Sequence, residues 1–349
     1  MRRLAASFLA LACLASCRGS GDGPRPPLDP AAQRALKNAA IAELGTSPEW
    51  EHPELVPGDV NTAGWEDSAY ISRDGKTLWF QYFPGDLFRV NDVLRFHRPK
   101  SQGGLGGDPA QYDLYHRGPA RGVSPAYTSD TFSASLEGGA FRGLTRFAYS
   151  RDGRNEWGVM QAEDGAFYYV THDPTREMKR DIYRNAERLA IPGGDRYNED
   201  NPHFAVTAYG RELFFDSDRP GNDGKNRIWI TREVGGKFSE PALLASPVNV
   251  PGSTEAQPHL TADGRLFFTT TRDGVIAIDA ARRTGENTWS AATRVLWPTK
   301  SSAPRVWAVG EPTLTADGQW LYFVAIFQND RGEFDADVAR VRRAASAAR

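Results

Sequence analysis

Hydrophobic and polar residues follow the same order in five places along the 349-residue chain. A short first segment leads to a glycine, and a nearly continuous aromatic segment follows. The glycine comes after an aspartate in four of the five copies, and Asp-Gly is a pair that tight hairpin turns favour. An apolar run without alternation is typical of a strand covered on both faces. The pattern therefore predicts five β-hairpins, with turns at Gly75, Gly165, Gly210, Gly264 and Gly318.

A third and a fourth strand extend these hairpins into units of four strands. Third strands are predicted at 112–118, 180–186, 226–232, 274–280 and 335–341, and fourth strands at 237–244 and 287–296. Four antiparallel strands that recur in this way are typical of a β-propeller. The long first interval is assigned to residues 84–111, inserted between the second and third strands. We expect an all-β, five-bladed β-propeller, or a six-bladed one if residues 119–150 contain a further blade.

The two ends of the repeat region predict how the propeller closes. Residues 49–58 (EWEHPELVPG) resemble residues 237–246 (KFSEPALLAS), the outer strand of the third unit. The chain thus begins with an outer strand and ends with a third strand. We therefore expect the N-terminal strand to complete the last blade, which removes the free sheet edge of an open array.

One copy of the repeat, PHLTADGRLFF at 258–268, resembles the TolB-type propeller repeat, in which Pro-x-x-Ser-x-Asp-Gly precedes an aromatic strand. The resemblance runs from about residue 50 to 343 and implies a TolB-like β-propeller. It does not select a function, because that family includes periplasmic scaffolds, peptidase propellers and sugar-acting enzymes. The chain has no Gly-x-Ser-x-Gly nucleophile motif and no room for a hydrolase domain, which excludes a propeller-gated peptidase.

The first residues have the organisation of a secretory signal peptide, with two arginines before a short apolar run at 4–14. That run is shorter than the ~20 residues that a membrane-spanning helix needs. It ends in LASC (14–17), which resembles the lipobox of bacterial lipoproteins. The resemblance implies cleavage before Cys17 and lipidation of Cys17, and Arg18 then favours the outer membrane, facing the periplasm. An ordinary secretory signal is the alternative.

The predicted organisation is a signal peptide at 1–16, a flexible tether at 17–29, a short helix at 30–45, the propeller at 47–343 and a disordered tail at 344–349. The net charge of −2 argues against a nucleic-acid partner, which usually requires a basic surface. We expect a monomer that contacts the membrane through its lipid anchor alone. Its expected partner is an envelope protein, a peptide or a glycan.

Four glutamates share one position of the repeat, near the beginning of the first strand: Glu66, Glu156, Glu199 and Glu255. Because first strands lie nearest the axis of a propeller, these side chains could form an acidic ring at one mouth of the channel. Like charges so placed raise one another's pKa or attract a cation. The ring then binds a cation, a basic peptide or a polyhydroxylated ligand. The alternative is that each carboxylate accepts hydrogen bonds from its own loop and holds its blade together.

Two histidines, His203 and His259, share another position of the repeat. Imidazoles near the axis could bind a metal, but two ligands are fewer than a site needs. We expect structural packing here, with no metal and no cofactor. Trp65 and Trp157 flank two of the glutamates and could stack on a sugar ring. Blade-to-blade packing is the alternative for these aromatic side chains.

The sequence shows no evident catalytic set of residues, which favours a binding or scaffold module of the cell envelope. The alternative is a carbohydrate-active enzyme, either a glycoside hydrolase or a polysaccharide lyase, that uses carboxylates of the inner strands. Glu66, Glu156 and Glu199 are its candidates. A retaining hydrolase needs two carboxyl groups about 5 Å apart, and an inverting one roughly 6.5–9.5 Å. The sequence alone does not decide whether the protein is an enzyme.

Overall fold

The computed structural model describes residues 30–62, 64–83, 129–151, 154–172, 180–220, 225–330, 332 and 334–345. Helix α1 (Pro30–Ala42) and two short strands, β1 (Gly45–Thr46) and β2 (Glu54–Leu55), come first. The signal peptide, Cys17 and the tether lie outside the described residues. Within the described ranges, no helix is long and apolar enough to cross a membrane.

The other strands form five antiparallel sheets, the blades, each built from consecutive strands. Blade one contains β3 (Trp65–Ile71), β4 (Thr77–Phe83), β5 (Asp130–Glu137) and β6 (Ala140–Arg146). Blade two contains β7 (Asn155–Gln161), β8 (Phe167–His172), β9 (Asp181–Arg184) and β10 (Glu187–Arg188). Blade three contains β11 (Glu199–Thr207), β12 (Gly210–Ser217), β13 (Arg227–Val234) and two short outer strands, β14 (Lys237–Phe238) and β15 (Ala242–Leu243).

Blade four contains β16 (Glu255–Leu260), β17 (Arg265–Thr270), β18 (Ala277–Gly285), β19 (Thr288–Trp289) and β20 (Thr293–Trp297), with a 3₁₀ turn at Arg272–Gly274. Strand β1 adds to its outer edge by pairing with β20. Blade five contains β21 (Arg305–Leu314), β22 (Trp320–Gln328) and β23 (Phe334–Arg342). Its fourth strand is β2, which pairs antiparallel with β23. The predicted closure of the ring by an N-terminal strand is confirmed.

The second strand of each blade supplies the centre of the core. The aromatic residues in the middle of these strands are at most 1% exposed: Phe80, Tyr169, Phe215, Phe268 and Phe323. Burial of such a side chain stabilises a fold by about 1.5–3 kcal/mol. Both faces of these strands are covered, as their continuous apolar sequence predicts, because blades pack face to face around the ring.

The structure corrects the strand assignment in blade one. The predicted third strand at 112–118 is wrong, because β5 occupies that place and pairs with β4. Residues 112–118 themselves lie outside the described ranges. Strands β5 and β6 account for much of 119–150, which excludes a sixth blade there. The sequence DTFSASLE of β5 alternates small polar and apolar residues, a weak signal that only its pairing with β4 resolves.

Candidate active site on the propeller axis

Each inner strand, the first strand of its blade, shifts its pairing register at the same point of the repeat. The residue at the shift has a left-handed φ between 47° and 59° in all five blades: Ser68, Gly158, Asn201, Gln257 and Glu311. A left-handed conformation costs a residue with a side chain about 1–2 kcal/mol, and glycine avoids this cost. Four of the five blades nevertheless carry a polar side chain here.

These polar residues line a small cavity on the axis, to which all five inner strands contribute. The volume of the cavity is about 50 Å³. This space admits water but is far smaller than the roughly 300–1,000 Å³ of typical ligand sites. The register shift therefore places a ring of hydrogen-bonding side chains where the five blades meet.

Four carboxyl groups influence one another here: Asp67, Asp200, Asp216 and Glu311, of which Glu311 lines the cavity. Gln257 donates a hydrogen bond from Nε2 to Glu311 Oε1 at 2.6 Å. Burial raises the pKa of Glu311 well above its ordinary value. The negative charges of Asp67 and Asp200 raise that pKa further. Glu311 Oε2 has no hydrogen-bond partner among the described residues, and burial beside two other carboxyl groups therefore favours the protonated form of Glu311.

Asp67 is the half-buried member of the group, whereas Asp200 and Asp216 are at most 1% exposed. Trp65 donates to Asp67 Oδ2 from its indole Nε1 at 3.0 Å. The backbone N–H of Ser68 donates to Asp67 Oδ1 at 3.0 Å. These two contacts orient the carboxyl group that lies nearest to solvent.

Asp200 is held by cationic and neutral donors. Trp157 donates to Asp200 Oδ1 from Nε1 at 2.6 Å, and Arg180 forms a buried ion pair with Asp200 Oδ2 at 2.7 Å. Asp216 accepts hydrogen bonds from Asn201 Nδ2 at 2.9 Å and from the backbone N–H of Gln257 at 3.1 Å. Burial, followed by the charge of Asp200, raises the pKa of Asp216 to about 7. The axis thus combines a charged carboxylate that is firmly paired with carboxyl groups that hold protons near neutral pH.

The four glutamates singled out in the sequence lie inside the blades and not at an open channel mouth. Glu66, Glu156, Glu199 and Glu255 are each at most 1% exposed. Glu66 accepts hydrogen bonds from the backbone N–H and the hydroxyl of Thr62, in the loop before its own strand. Glu199 and Glu255 form ion pairs with arginines that follow the second strand of their own blades, Arg219 and Arg272. This is the geometry of the structural alternative, in which each glutamate holds its blade together.

Glu156 differs from the other three because its Oε2 has no hydrogen-bond partner among the described residues. Its other oxygen, Oε1, accepts a hydrogen bond from the backbone N–H of Arg151 at 3.2 Å. Burial, and then the charge of Asp130, raises the pKa of Glu156 to about 8. This carboxyl group is therefore neutral over most of the physiological range.

The two histidines connect neighbouring blades. His203 Nε2 lies 3.1 Å from the carbonyl oxygen of Leu260 in blade four and must donate to it. The backbone N–H of Leu314 in blade five donates to His259 Nε2 at 3.3 Å. Burial lowers the pKa of His203 to about 4 and that of His259 well below its ordinary value. Both imidazoles are therefore neutral and engaged.

The same position of the repeat makes an equivalent contact in every blade. Tyr70 donates from its hydroxyl to the carbonyl of Gln161 at 2.9 Å, Met160 Sδ accepts from the N–H of Phe204 at 3.2 Å, and Thr313 Oγ1 accepts from the N–H of Ile71 at 3.3 Å. Together with the histidines, these residues form a ring of five side-chain contacts between successive inner strands. In the described part of the chain, no group of three or more His, Cys, Asp or Glu residues could hold a metal ion.

Both tryptophans were predicted site residues, whereas Asp67 and Asp200 each follow a predicted glutamate by one residue. The indole N–H groups of Trp65 and Trp157 donate to Asp67 and Asp200. Asp67 and Asp200 were not predicted because regular alternation of side chains along the inner strand was assumed. The register shift breaks that alternation and changes which side chain faces the axis. One signal was available: Asn201, Gln257 and Glu311 each directly precede a proline, which marks an irregular point in a strand.

Comparison with known proteins addresses the fold. No protein-family model matches the chain, and no curated protein matches its sequence significantly. Among solved structures, the BT0996 RGII complex is 13% identical, with a TM-score of 0.52 over 88% of this chain and 95% of that one. A glycoside hydrolase is 13% identical, with a TM-score of 0.50 over 90% of this chain and 97% of that one.

Zg3597, a family 117 glycoside hydrolase of the marine bacterium Zobellia galactanivorans, is 13% identical, with a TM-score of 0.50 over 87% of this chain and 91% of that one. TolB from Acinetobacter baumannii also matches, with a TM-score of 0.37. That value is too low to support the TolB-like resemblance as anything finer than the architecture. The likenesses with TM-scores of 0.50 and above agree with the five sheets of this structure, and the chain folds as an all-β, five-bladed propeller.

Proposed function

We propose that this protein is a glycoside hydrolase that cleaves a glycosidic bond at the axial carboxyl groups. The observation that carries the proposal is the buried Glu311 carboxyl group of blade five, whose Oε2 has no hydrogen-bond partner among the described residues and whose neighbours include Asp67 of blade one. Burial and two negative neighbours keep a proton on Glu311, while Asp67 lies nearer to solvent. The similarity of the fold to two glycoside hydrolases supports this proposal over a purely structural role.

Glycosidase chemistry needs two carboxyl groups with opposite tasks. One must hold a proton at neutral pH and donate it to the leaving oxygen, and the other must act as a carboxylate, either as base or as nucleophile. A carboxyl group whose pKa is raised by burial is suited to the task of the acid. Glu311 is therefore the general acid, and the half-buried Asp67 is its carboxylate partner. For cleavage, a sugar must enter between these two carboxyl groups.

Asp200 acts as a positioning residue in this proposal. Its charge is one of the causes of the raised pKa of Glu311, and Arg180 and Trp157 hold its carboxylate in place. An ionised group fixed in this way keeps Glu311 protonated without taking part in bond making. Gln257 fixes the Glu311 carboxyl itself from the neighbouring blade.

The test is the release of reducing ends from a panel of plant and algal polysaccharides and aryl glycosides. Glu311→Gln and Asp67→Asn should each lower the rate about 10²–10⁴-fold, the usual contribution of a general acid or base. Glu156→Gln is the matched control, because Glu156 is also buried and neutral but lies off the axis. Equal activity of Glu311→Gln and the wild type, or an equal loss in Glu156→Gln, would refute the assignment.

A second candidate is a binding or scaffold module for an envelope protein, peptide or glycan. The axial cavity of about 50 Å³ favours it, because that space admits water and not a sugar ring unless the carboxyl groups separate. In this case the polar ring joins the blades and the ligand binds elsewhere. A folded protein that cleaves nothing in the panel, with Glu311→Gln less stable than the wild type, would favour this role.

We further propose that the protein is lipid-anchored in the bacterial cell envelope through Cys17. The support is the LASC segment after the apolar run at 4–14. Labelling of cells with a radioactive fatty acid tests it. We expect label and membrane association in the wild type, and neither in Cys17→Ser. Unchanged labelling of that variant would contradict the proposal.

A further inference from the structure

A large cleft lies between blades five and one on the face opposite the axial carboxyl groups. Its volume is about 620 Å³, which is typical of ligand sites. It lies beyond the ends of the inner strands; from Asp67, β3 continues for four residues, roughly 13 Å, before the turn. It is lined by the turns between first and second strands in both blades and by side chains of blades one and five: Arg73, Asp74, Leu136, Asp317, Trp320, Tyr322 and Arg340.

The other four junctions between blades are filled on this face. Ion pairs cross three of them: Arg73 with Glu163, Arg211 with Asp164, and Arg283 with Glu212. At the junction of blades four and five, the segment before β2 fills the space. There Glu49 pairs with Arg265 and Arg343, and Trp50 packs against Phe267.

The junction of blades five and one is bridged at its outer part. There the backbone of residues 57–59 pairs with Phe141, Arg142 lies 3.6 Å from Asp59, and Phe141 packs against Tyr322. At the turns of the inner strands, the N–H of Ala316 donates to the carbonyl of Arg73 at 2.9 Å. Between these two contacts lies the cleft, beside Trp320, one face of which is covered by Arg340 at 4.5 Å.

The polar groups of the cleft are suited to hydroxyl groups. Oδ1 of Asp74 accepts hydrogen bonds from the Ser72 hydroxyl at 2.6 Å and from the N–H of Lys76 at 3.0 Å. Oδ1 of Asp317 likewise accepts hydrogen bonds from the Thr315 hydroxyl at 2.6 Å and from the N–H of Gln319 at 3.0 Å. The Oδ2 atom of each aspartate accepts no hydrogen bond from the described residues. Two rigidly held carboxylates thus each have an oxygen available to accept a bond.

We propose that this cleft binds a segment of a neutral glycan. A sugar offers an apolar face for Trp320 and adjacent hydroxyl groups that donate to Asp74 and Asp317 and accept from Arg73. Arg73 and Arg340 are each paired with a glutamate outside the lining, so among the described residues the cleft offers no unpaired cation that would select an acidic ligand. The cleft is separate from the axis, so this site does not depend on the proposed hydrolysis.

Native affinity electrophoresis tests the proposal, with the purified protein run in gels that contain xylan, arabinan or galactan. We expect at least one of these polysaccharides to retard the wild type. Trp320→Ala should weaken the retardation at least tenfold. Asp74→Asn and Asp317→Asn retain the Oδ1 acceptor that holds the turn but replace the Oδ2 acceptor, so they should weaken binding without unfolding the protein.

Two matched controls keep the test specific. Tyr209→Ala removes another exposed aromatic that lies under an arginine, and Asp263→Asn changes the corresponding turn of blade four. Both should bind as the wild type does. Glu311→Gln should also bind normally, so a loss of cleavage with normal retardation separates the two proposals. Absence of retardation with all three polysaccharides, or normal retardation of the three cleft variants, would overturn the inference.

Discussion

Replacement of Lys37 by methionine should destabilise the protein strongly and in a pH-dependent manner. Lys37 projects from helix α1 and forms ion pairs with Asp335 and with Asp337, the latter at 2.5 Å. The lysine side chain is 14% exposed and that of Asp337 is 1% exposed. Removal of one partner from a buried pair costs about 3–5 kcal/mol, because the other charge stays buried and uncompensated. We expect a loss of that size at pH 8.

The dependence on pH follows from the two aspartates. Burial raises the pKa of Asp335 to about 7 even though Lys37 lowers it, and burial likewise raises the pKa of Asp337. When folding raises the pKa of an acid, the protein loses stability as the pH rises from the pKa of that acid in the unfolded chain, about 3.9, through its pKa in the folded protein. Without Lys37 the folded-state pKa of each aspartate rises further. The variant therefore loses more stability than the wild type over this pH range. The stability gap should therefore be largest at pH 8 and smallest at pH 5.

Urea unfolding of both proteins at pH 5, 6.5 and 8 measures the gap. Lys37 itself does not titrate here, because burial, which lowers its pKa, is outweighed by its two partners, which raise that pKa above the ordinary value. The control is Lys300→Met, which removes an exposed pair with Glu43 at 3.4 Å and should have almost no effect. A gap that is the same at pH 5 and pH 8, or one below about 1 kcal/mol at pH 8, would refute the reasoning.

Three further predictions concern the axis and its surroundings. His259→Phe removes the acceptor for the N–H of Leu314 and should destabilise the protein by about 1–3 kcal/mol in urea unfolding. Because His259 is engaged in this structural contact, zinc should not raise the melting temperature of the wild type. Trp157→Phe removes the donor to Asp200 and should lower kcat for any cleaved glycan with little change in KM, since Asp200 is placed outside the contact with substrate. Glu156→Gln should gain stability relative to the wild type as the pH rises from about 4.3 through 8, because the wild type must then ionise a buried carboxyl group.

For each of these three predictions, one experimental result would contradict the reasoning. Stabilisation of the wild type by zinc, lost in His259→Phe, would indicate a metal site. A rise in KM alone for Trp157→Phe would place the indole in substrate binding. A stability difference between Glu156→Gln and the wild type that is independent of pH would contradict the raised pKa of Glu156.

The hairpins of the propeller were predictable because their signals are local. A turn such as Asp263-Gly264 is specified by the left-handed φ that glycine accepts, and the aromatic strand after it by its own side chains. The closing strand β2 was predictable for a related reason, since its sequence repeats that of another outer strand. Strand β5 was not, because its place depends on pairing with β4 across a long connection.

The repeat and its turns follow from the sequence because each depends on residues adjacent in the chain, and the closing strand follows because its sequence repeats that of another outer strand. Which acids face the axis depends instead on tertiary contacts. A shift of one residue turns every side chain of a strand to the opposite face, and the shift beside Ser68 and Glu311 is defined by pairing with a neighbouring strand. For this reason Glu66 lies inside its blade, whereas Asp67 meets Glu311 from the other end of the chain.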